Sequence, residues 1–298
     1  PSPLNNPTLE KIETYLRQEE RTIQELQSKF PMYMPLQCHA LPGSHLPPCD
    51  LDETVQAFLD ARDSRSLLLS GDSGAGKSTF LERLCYGKGG LSSQWTPACG
   101  RPIPLLIRLP LLKEPFGEAV EETLKKYVGL EDGEVKALRE GGESFLLLFD
   151  AFDELMDWQY LYVENNLQLW KGMAKMVVTC RTHYLNEKPT GYQCYFQTRA
   201  GSSYEDGPGQ YQECFGAAVK EATVELYGKA YAASRRRPDL IPEGWESADK
   251  YLRELKRIPS LMALIRTPFA LKITLEVLPE LVEESDSVVV TRRRVFEA

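Results

Sequence analysis

The stretch Gly71-Asp72-Ser73-Gly74-Ala75-Gly76-Lys77-Ser78 decides the fold. It fits the pattern G-x-x-x-x-G-K-[ST], follows an apolar run at 67–70 and precedes a helical pattern at 79–86. Its glycines let the backbone curl so that successive N–H groups face phosphate oxygens, and the next helix presents the positive end of its dipole. The stretch therefore predicts a phosphate-binding loop that joins a strand to a helix.

Two side chains of this loop have distinct chemical roles. Lys77 is placed to hold the β- and γ-phosphates of a nucleotide, and Ser78 is placed to ligate Mg²⁺. We expect ATP or ADP with Mg²⁺ rather than GTP, because no guanine-reading Asn-Lys-x-Asp sequence follows the acidic strand at 145–150. The predicted nucleotide-binding residues of the loop are Gly71, Asp72, Ser73, Gly74, Ala75, Gly76, Lys77, Ser78 and Thr79.

A second motif supplies carboxylates. Residues 145–150 read Phe-Leu-Leu-Leu-Phe-Asp, and the chain continues as Ala151-Phe152-Asp153-Glu154, which is a Walker B pattern with extra acids. Asp150, at the carboxyl end of a buried strand beside the loop, is expected to bind Mg²⁺. Asp153 and Glu154 are placed to orient or deprotonate a water molecule that attacks the γ-phosphate.

A further strand, predicted at 176–180, places Arg181 at its carboxyl end. Ligands of open α/β sheets bind at this edge. Arg181 is therefore predicted to stabilise charge on the γ-phosphate, with a surface salt bridge as the alternative interpretation. His183, in the loop that follows, receives no role.

The remaining apolar runs indicate a sheet covered on both faces. Strands are predicted at 67–70, 103–107, 145–149, 176–180 and 192–196, and their hydrophobicity is continuous rather than alternating. This pattern predicts an α/β fold in which a parallel sheet is sandwiched by helices, as in P-loop NTPases.

The segment 201–209 is rich in glycine, and strand signals stop after it. Helical patterns follow at 217–234, 246–257 and 268–278. The predicted domains are an N-terminal helix and linker at 1–49, a nucleotide-binding domain at 50–210, and a small helical domain at 211–298.

The first segment of the chain predicts an amphipathic helix. Its heptad positions hold apolar side chains, which indicate packing on its own or an upstream domain, or else a coiled coil with a partner. Residues 31–49 are rich in proline and are predicted to form an irregular linker. Asp50 and Glu53 then form a capping-box pattern before the next helix. The apolar heptad residues are Leu9, Ile12, Leu16, Ile23, Leu26 and Phe30.

Composition sets limits on function. The 298 residues are 42% hydrophobic and 26% charged, with a net charge of −8, which argues against a nucleic-acid partner. The basic runs at 235–237 and 292–294 are interpreted as solvated faces. No apolar run has the length of a membrane span, so a soluble, cytoplasmic protein is expected. The missing initiator methionine and the abrupt end indicate a piece of a longer protein.

Seven cysteines without regular spacing predict reduced thiols. Four residues of metal-ligand type, Cys38, His39, His45 and Cys49, lie in the proline-rich segment. They leave a zinc site open as a hypothesis, although the C-x₂-C spacing of zinc modules is absent.

From residue 67 onward the chain resembles the NACHT domain of the STAND-class P-loop NTPases, which are signalling ATPases. The resemblance lies in the loop at 71–78, the acidic tail at 147–154, the strand end at 178–181, and Thr267-Pro268-Phe269-Ala270-Leu271. It implies that Pro268 contacts the nucleotide near the adenine. It also implies a switch in which exchange of ADP for ATP opens the domains and permits self-assembly, with weak Mg²⁺-dependent ATPase activity.

Two departures from the family accompany the resemblance. Ala151 occupies a position that is usually glycine, which matters if the backbone there needs a positive φ. The winged-helix domain expected after the helical domain is not part of this sequence. Two other functions remain open, a P-loop small-molecule kinase and a nucleotide-binding scaffold without useful hydrolysis.

Overall fold

The structure is a computed structural model. It describes residues 6–29, 33–40, 47–62, 64–155, 157–187, 191–198, 211–217, 224–225, 227–229, 231, 245 and 247–283.

One seven-stranded sheet organises the fold, in the order β2-β1-β7-β3-β6-β5-β4. Strands β7, β3, β6, β5 and β4 run parallel, whereas β1 is antiparallel to both β2 and β7. The sheet is therefore mixed and mostly parallel, which corrects the expectation of a purely parallel sheet. The connection between β1 and β2 is too short for the crossover that parallel pairing needs. The strands are β1 (Gln37–His39), β2 (Cys49–Asp50), β3 (Ser66–Gly71), β4 (Ile103–Arg108), β5 (Phe145–Asp150), β6 (Met173–Arg181) and β7 (Tyr211–Gly216).

The described α-helices include one long N-terminal helix, several short helices between the strands, and three helices near the C-terminus. They are α1 (Pro7–Lys29), α2 (Leu51–Asp60), α3 (Lys77–Tyr86), α4 (Ala119–Thr123), α5 (Asp132–Gly141), α6 (Leu161–Glu164), α7 (Thr182–Asn186), α8 (Ala248–Arg257), α9 (Pro259–Leu264) and α10 (Pro268–Glu283). None of the helices in the described ranges is long and apolar enough to cross a membrane.

The strand order brings the predicted motifs together at the carboxyl ends of three neighbouring strands. Strand β6 lies between β3, which leads into the phosphate loop, and β5, which ends in the acidic motif. Gly71 is opposite Arg181 in the β3–β6 pair, and Phe149 is opposite Val178 in the β5–β6 pair. All residues of β3 and β5 are buried, as their continuous apolar runs predict.

Helix α1 packs on its own fold. Leu9, Ile12, Leu16 and Ile23 are buried, while Leu26 is half exposed. The Tyr15 hydroxyl lies 3.3 Å from the Tyr86 hydroxyl of α3, and Arg17 donates to the carbonyls of Ser92 and Trp95, both at 3.3 Å. The apolar stripe of α1 therefore serves intramolecular packing. Phe30 lies outside the described residues.

The segment predicted as an irregular linker contains regular structure. Residues 37–39 and 49–50 form β1 and β2 at the edge of the sheet. Asp50 caps α2 as predicted, because its side chain accepts a hydrogen bond from the Glu53 amide at 3.1 Å.

The prediction of a strand at 192–196 is wrong, since Tyr192–Phe196 forms a 3₁₀ helix. Gly191 begins it with a φ of 80°, and Phe196 packs edge-on against Phe152 with 4.8 Å between ring centroids. Ser66 also donates a hydrogen bond to the Phe196 carbonyl. These contacts hold the segment against Phe152 and Ser66 of β3, and it is not a strand of the sheet.

The strand that completes the parallel sheet is β7, which the sequence did not indicate. Its polar residues interrupt the apolar pattern, but each has a partner. Tyr192 donates to Glu213 at 3.0 Å, and Gln212 donates to the Ser64 hydroxyl at 2.8 Å. The sheet therefore continues beyond residue 210, the predicted domain boundary.

Helices α8 and α10 lie within or over the segments predicted to be helical at 246–257 and 268–278. They share a second buried cluster that includes Tyr251, Leu255, Leu271 and Leu275. The separation of a helical domain at 211–298 stays a prediction. The basic runs at 235–237 and 292–294 and most of 217–234 lie outside the described residues.

Candidate nucleotide-binding site

The phosphate loop occupies the turn between β3 and α3. Gly74 and Gly76 adopt φ values of 73° and 89°, a left-handed conformation that strongly favours glycine. A Cβ atom on Gly74 would also lie 2.9 Å from Cβ of Phe269. The ten-residue helix α3 starts at Lys77 and directs its N-terminal amides at the loop. Strand, loop and helix thus follow one another as the sequence predicts.

Lys77 folds back over this loop. Its Nζ donates to the carbonyls of Gly71 at 2.8 Å and Asp72 at 3.1 Å. Burial lowers the pKa of the ammonium below its ordinary value, and the nearby Asp153 opposes that shift. Lys77 is therefore a partly desolvated cation, held by carbonyls at the position where an anion would bind.

Ser78 and Asp150, the predicted Mg²⁺ ligands, are in direct contact. The Ser78 hydroxyl donates to Oδ1 of Asp150 at 3.1 Å. A second hydroxyl, that of Thr179 on β6, donates to the same oxygen at 2.6 Å. Across the parts of the chain that are described, no donor to Oδ2 of Asp150 is found. A hydroxyl beside a carboxylate oxygen is a donor set suited to Mg²⁺, so these residues fit the cation.

The predicted catalytic acids both contact Arg181, in different ways. Arg181 donates its backbone amide to Oδ1 of Asp153 at 2.8 Å, and its Nε lies 2.9 Å from Oδ2. Its Nη2 lies 2.9 Å from Oε1 of Glu154. The Asp153 side chain is 4% exposed and that of Glu154 is 46% exposed. Asp153 is thus nearly buried and bound at both carboxylate oxygens, whereas Glu154 is bound at one oxygen and is partly exposed.

Ala151, between Asp150 and the two acids, has a backbone conformation that strongly favours glycine. Its φ of 63° and ψ of 49° are left-handed. Its amide donates to the Thr179 hydroxyl at 2.8 Å. An alanine in this conformation therefore carries a backbone cost of about 1 kcal/mol relative to glycine.

Most of these residues line one cleft of about 600 Å³, and Asp150 adjoins it through its hydrogen bond with Ser78. The phosphate loop from Ser73 to Thr79 forms one wall, together with Asp153, Glu154 and Arg181. Pro268, the first residue of α10, also lines the cleft, and the amide of the next residue, Phe269, donates to the Gly74 carbonyl at 3.3 Å. The sequence did not indicate much of the apolar lining, which includes Leu26, Tyr33, Met34, Leu36, Tyr227, Tyr231 and Phe269.

The zinc hypothesis gains no support from the residues that are described. Among them no group of three or more His, Cys, Asp or Glu side chains is arranged to hold a metal ion. Cys38 is buried and donates to the Thr54 hydroxyl at 3.5 Å. His45 lies outside the described ranges, so the four-residue site stays untested. All seven cysteines are free thiols.

The geometry defines a class: the chain has a P-loop NTPase-like α/β fold. No model of a protein family matches the sequence, and no curated protein matches it either. Among solved structures, the chain is similar to the Holliday junction branch migration motor RuvB of Thermotoga maritima, at 15% sequence identity and a TM-score of 0.35. The match covers 83% of this chain and 66% of that protein. A likeness this distant adds nothing to what the site's own geometry supports.

Proposed function

We propose that the chain is the nucleotide-binding part of a STAND-type signalling switch of the NACHT kind, which binds ATP or ADP with Mg²⁺ and hydrolyses ATP slowly. One observation carries this proposal. The phosphate loop, the Ser78–Asp150 pair and the acids held by Arg181 line or adjoin the same cleft, and the start of α10 lines it too.

Binding follows from the groups that face the cleft. The loop amides and the start of α3 suit phosphate oxygens, and Lys77 supplies a positive charge whose present partners are neutral carbonyls. Ser78 and Asp150 would hold Mg²⁺, which neutralises phosphate charge when bound. The apolar side chains and Pro268 offer a surface for the adenine.

Slow hydrolysis is consistent with how Glu154 is held. A general base must accept a hydrogen bond from the attacking water. Glu154 already accepts one from Arg181 at Oε1, over 2.9 Å, so an attacking water molecule has to share the carboxylate with this ion pair. Such competition favours a long-lived ATP state over fast turnover, which is what a switch requires.

Switching requires a state-dependent contact between the nucleotide and another part of the chain. The bond from the Phe269 amide to the Gly74 carbonyl joins α10 to the phosphate loop. A γ-phosphate that shifts this loop would therefore act on α10 directly. Domain opening and self-association in the ATP state, in a cytoplasmic protein, complete the proposal.

The first test is to denature the purified chain and identify the released nucleotide by chromatography. Close to one ADP per chain is expected from wild type and from Lys11→Ala, which removes a surface ion pair with Glu134 far from the cleft. Lys77→Ala should release none. Titration with ATP and ADP, in Mg²⁺ and in EDTA, measures any binding that purification does not preserve.

The outcomes separate the alternatives. ADP formation from ATP with no second substrate, together with an ATP-dependent change in molecular size, supports the switch. Binding with neither hydrolysis nor a size change supports the scaffold. Phosphoryl transfer to a small molecule supports a kinase. If neither nucleotide is released or bound, the proposal is overturned.

A further inference from the structure

Thr179 connects the two acidic parts of the site. Its side chain is fully buried on β6, two residues before Arg181. The hydroxyl donates to Oδ1 of Asp150 at 2.6 Å and accepts from the Ala151 amide at 2.8 Å. The hydroxyl therefore donates to the last residue of β5, Asp150, and accepts from the residue that follows it, Ala151.

The first of these bonds is short and charge-assisted, the kind that fixes orientation most strongly. A carboxylate with one donor can rotate about its terminal torsion, which has a broad energy profile. With Thr179 and Ser78 both on Oδ1, that rotation is restricted and Oδ2 points elsewhere. The hydroxyl of Thr179 thus occupies Oδ1 of Asp150 and leaves Oδ2 available to bind a cation.

The second bond fixes the backbone where the acidic turn begins. Ala151 has a left-handed conformation, and its amide has the Thr179 hydroxyl as its partner. The Ala151 amide is partly buried, and such a donor is costly to leave without a partner, so the pairing stabilises this conformation. The turn it starts leads to Asp153 and Glu154, which Arg181 holds from the same strand.

We propose that Thr179 is a positioning residue for cation binding: its hydroxyl orients the Asp150 carboxylate toward Mg²⁺ and holds the turn that carries the acids. This inference rests on the proposed function, since it assumes that a nucleotide and Mg²⁺ bind here. Thr179 lines the cleft, and both of its hydrogen bonds join it to other groups of the chain, Asp150 and Ala151. It acts through Asp150 and Ala151, as groups behind metal ligands generally do.

The test compares hydroxyl-free and hydroxyl-bearing variants of the full 298-residue chain. Thr179→Val keeps the shape of the side chain and removes the hydroxyl, Thr179→Ser keeps the hydroxyl, and Thr179→Ala is a second hydroxyl-free variant. Thr274→Val is the matched control, because Thr274 is also fully buried and its hydroxyl has no partner among the residues that the structure describes. ADP affinity is measured by calorimetry across a Mg²⁺ titration and in EDTA.

In wild type, Thr179→Ser and Thr274→Val, we expect the same Mg²⁺ concentration at half-maximal enhancement of ADP affinity. In Thr179→Val and Thr179→Ala, that concentration should rise about tenfold or more. Affinity in EDTA should be unchanged in every variant, because the loop amides and Lys77 are untouched. Unchanged affinity in EDTA also shows that a variant is folded.

Two results overturn the inference without affecting the proposed function. One is a Mg²⁺ titration that is the same for wild type and the hydroxyl-free variants. The other is a defect in Thr179→Ser as large as that in Thr179→Val. If wild type binds no ADP with or without Mg²⁺, the proposed function fails, and the inference fails with it. Loss of EDTA affinity in both hydroxyl-free variants assigns Thr179 to folding and also overturns the inference.

Discussion

Arg181 binds both carboxylate oxygens of Asp153, one through its backbone amide at 2.8 Å and the other through its guanidinium at 2.9 Å. The backbone donor is present whatever the side chain is, so only one of the two bonds depends on the guanidinium. The same guanidinium also binds Glu154. A change of side chain at 181 therefore removes one of the two hydrogen bonds that Arg181 makes to Asp153, but the whole of its contact with Glu154.

Arg181→Ala should lower the free energy of unfolding by about 1–3 kcal/mol, since the nearly buried Asp153 loses a charged partner. Urea denaturation measures this loss. A double-mutant cycle with Asp153→Ala isolates the coupling between the two side chains. A coupling energy near zero would show that the backbone amide alone holds Asp153.

Glu154→Gln should reduce ATP hydrolysis by about a hundredfold or more and leave ATP affinity unchanged, because the amide cannot take a proton from water. Turnover of [γ-³²P]ATP and calorimetric binding report the two effects separately. Glu140→Gln, at an exposed acid of α5, serves as the control. Normal turnover in Glu154→Gln would remove this residue from the catalytic set.

Gly74→Ala should weaken nucleotide binding about tenfold or more, because φ at this position is 73° and the new Cβ would meet Phe269 at 2.9 Å. Gly133→Ala is the matched change, since Gly133 is in α5 with open space around it. That control should be neutral or stabilising by up to about 1 kcal/mol. Equal affinities in the two variants would contradict the predicted constraint on the loop.

Ala151→Gly should stabilise the fold by about 0.5–1 kcal/mol. Relief of the left-handed strain of an L-residue exceeds the added chain entropy of glycine in the unfolded state. Ala151→Val should destabilise it, because a branched side chain tolerates this conformation less well. Thermal unfolding of the three proteins gives the order. A lower melting temperature for Ala151→Gly would show that the strain is already relieved elsewhere.

Nucleotide affinity should fall as the pH rises, and the fall should begin at a pH below the ordinary lysine pKa of ~10.4. Burial lowers the pKa of free Lys77, and bound phosphates favour its charged form, so binding takes up a proton in this range. Calorimetry in buffers of different ionisation enthalpy counts that proton. Lys77→Arg should lose the pH dependence because arginine stays charged. An identical profile in both proteins would assign the titration to another group.

Features set by neighbours in sequence were predictable. The phosphate loop depends on glycines and a lysine at fixed spacing, and the buried runs at 67–70 and 145–149 are continuous. Both patterns carry their physical reason within a few residues. The loop geometry, four of the five predicted strands and the Asp50 cap therefore follow from local chemistry.

Features set by distant pairing were not predictable. Thr179 meets Asp150 because β6 pairs with β5. Strand β7 pairs with β3, and its polar residues Glu213 and Gln212 bond to Tyr192 and Ser64, which are distant in the sequence. The run at 192–196 has the composition of a strand, but it forms a 3₁₀ helix whose Phe196 packs against Phe152. The apolar lining from α1 likewise depends on how that helix lies across α3.

The alternation of side chains along β6 has a consequence for how such a sequence can change over time. Thr179 and Arg181 meet the acids because they share one face of the strand, with Cys180 on the other. Loss or gain of a single residue just before them would turn both away and present Cys180 in their place. A substitution in β6 changes one side chain, whereas a change in residue count next to Thr179 and Arg181 reverses the faces of several side chains at once.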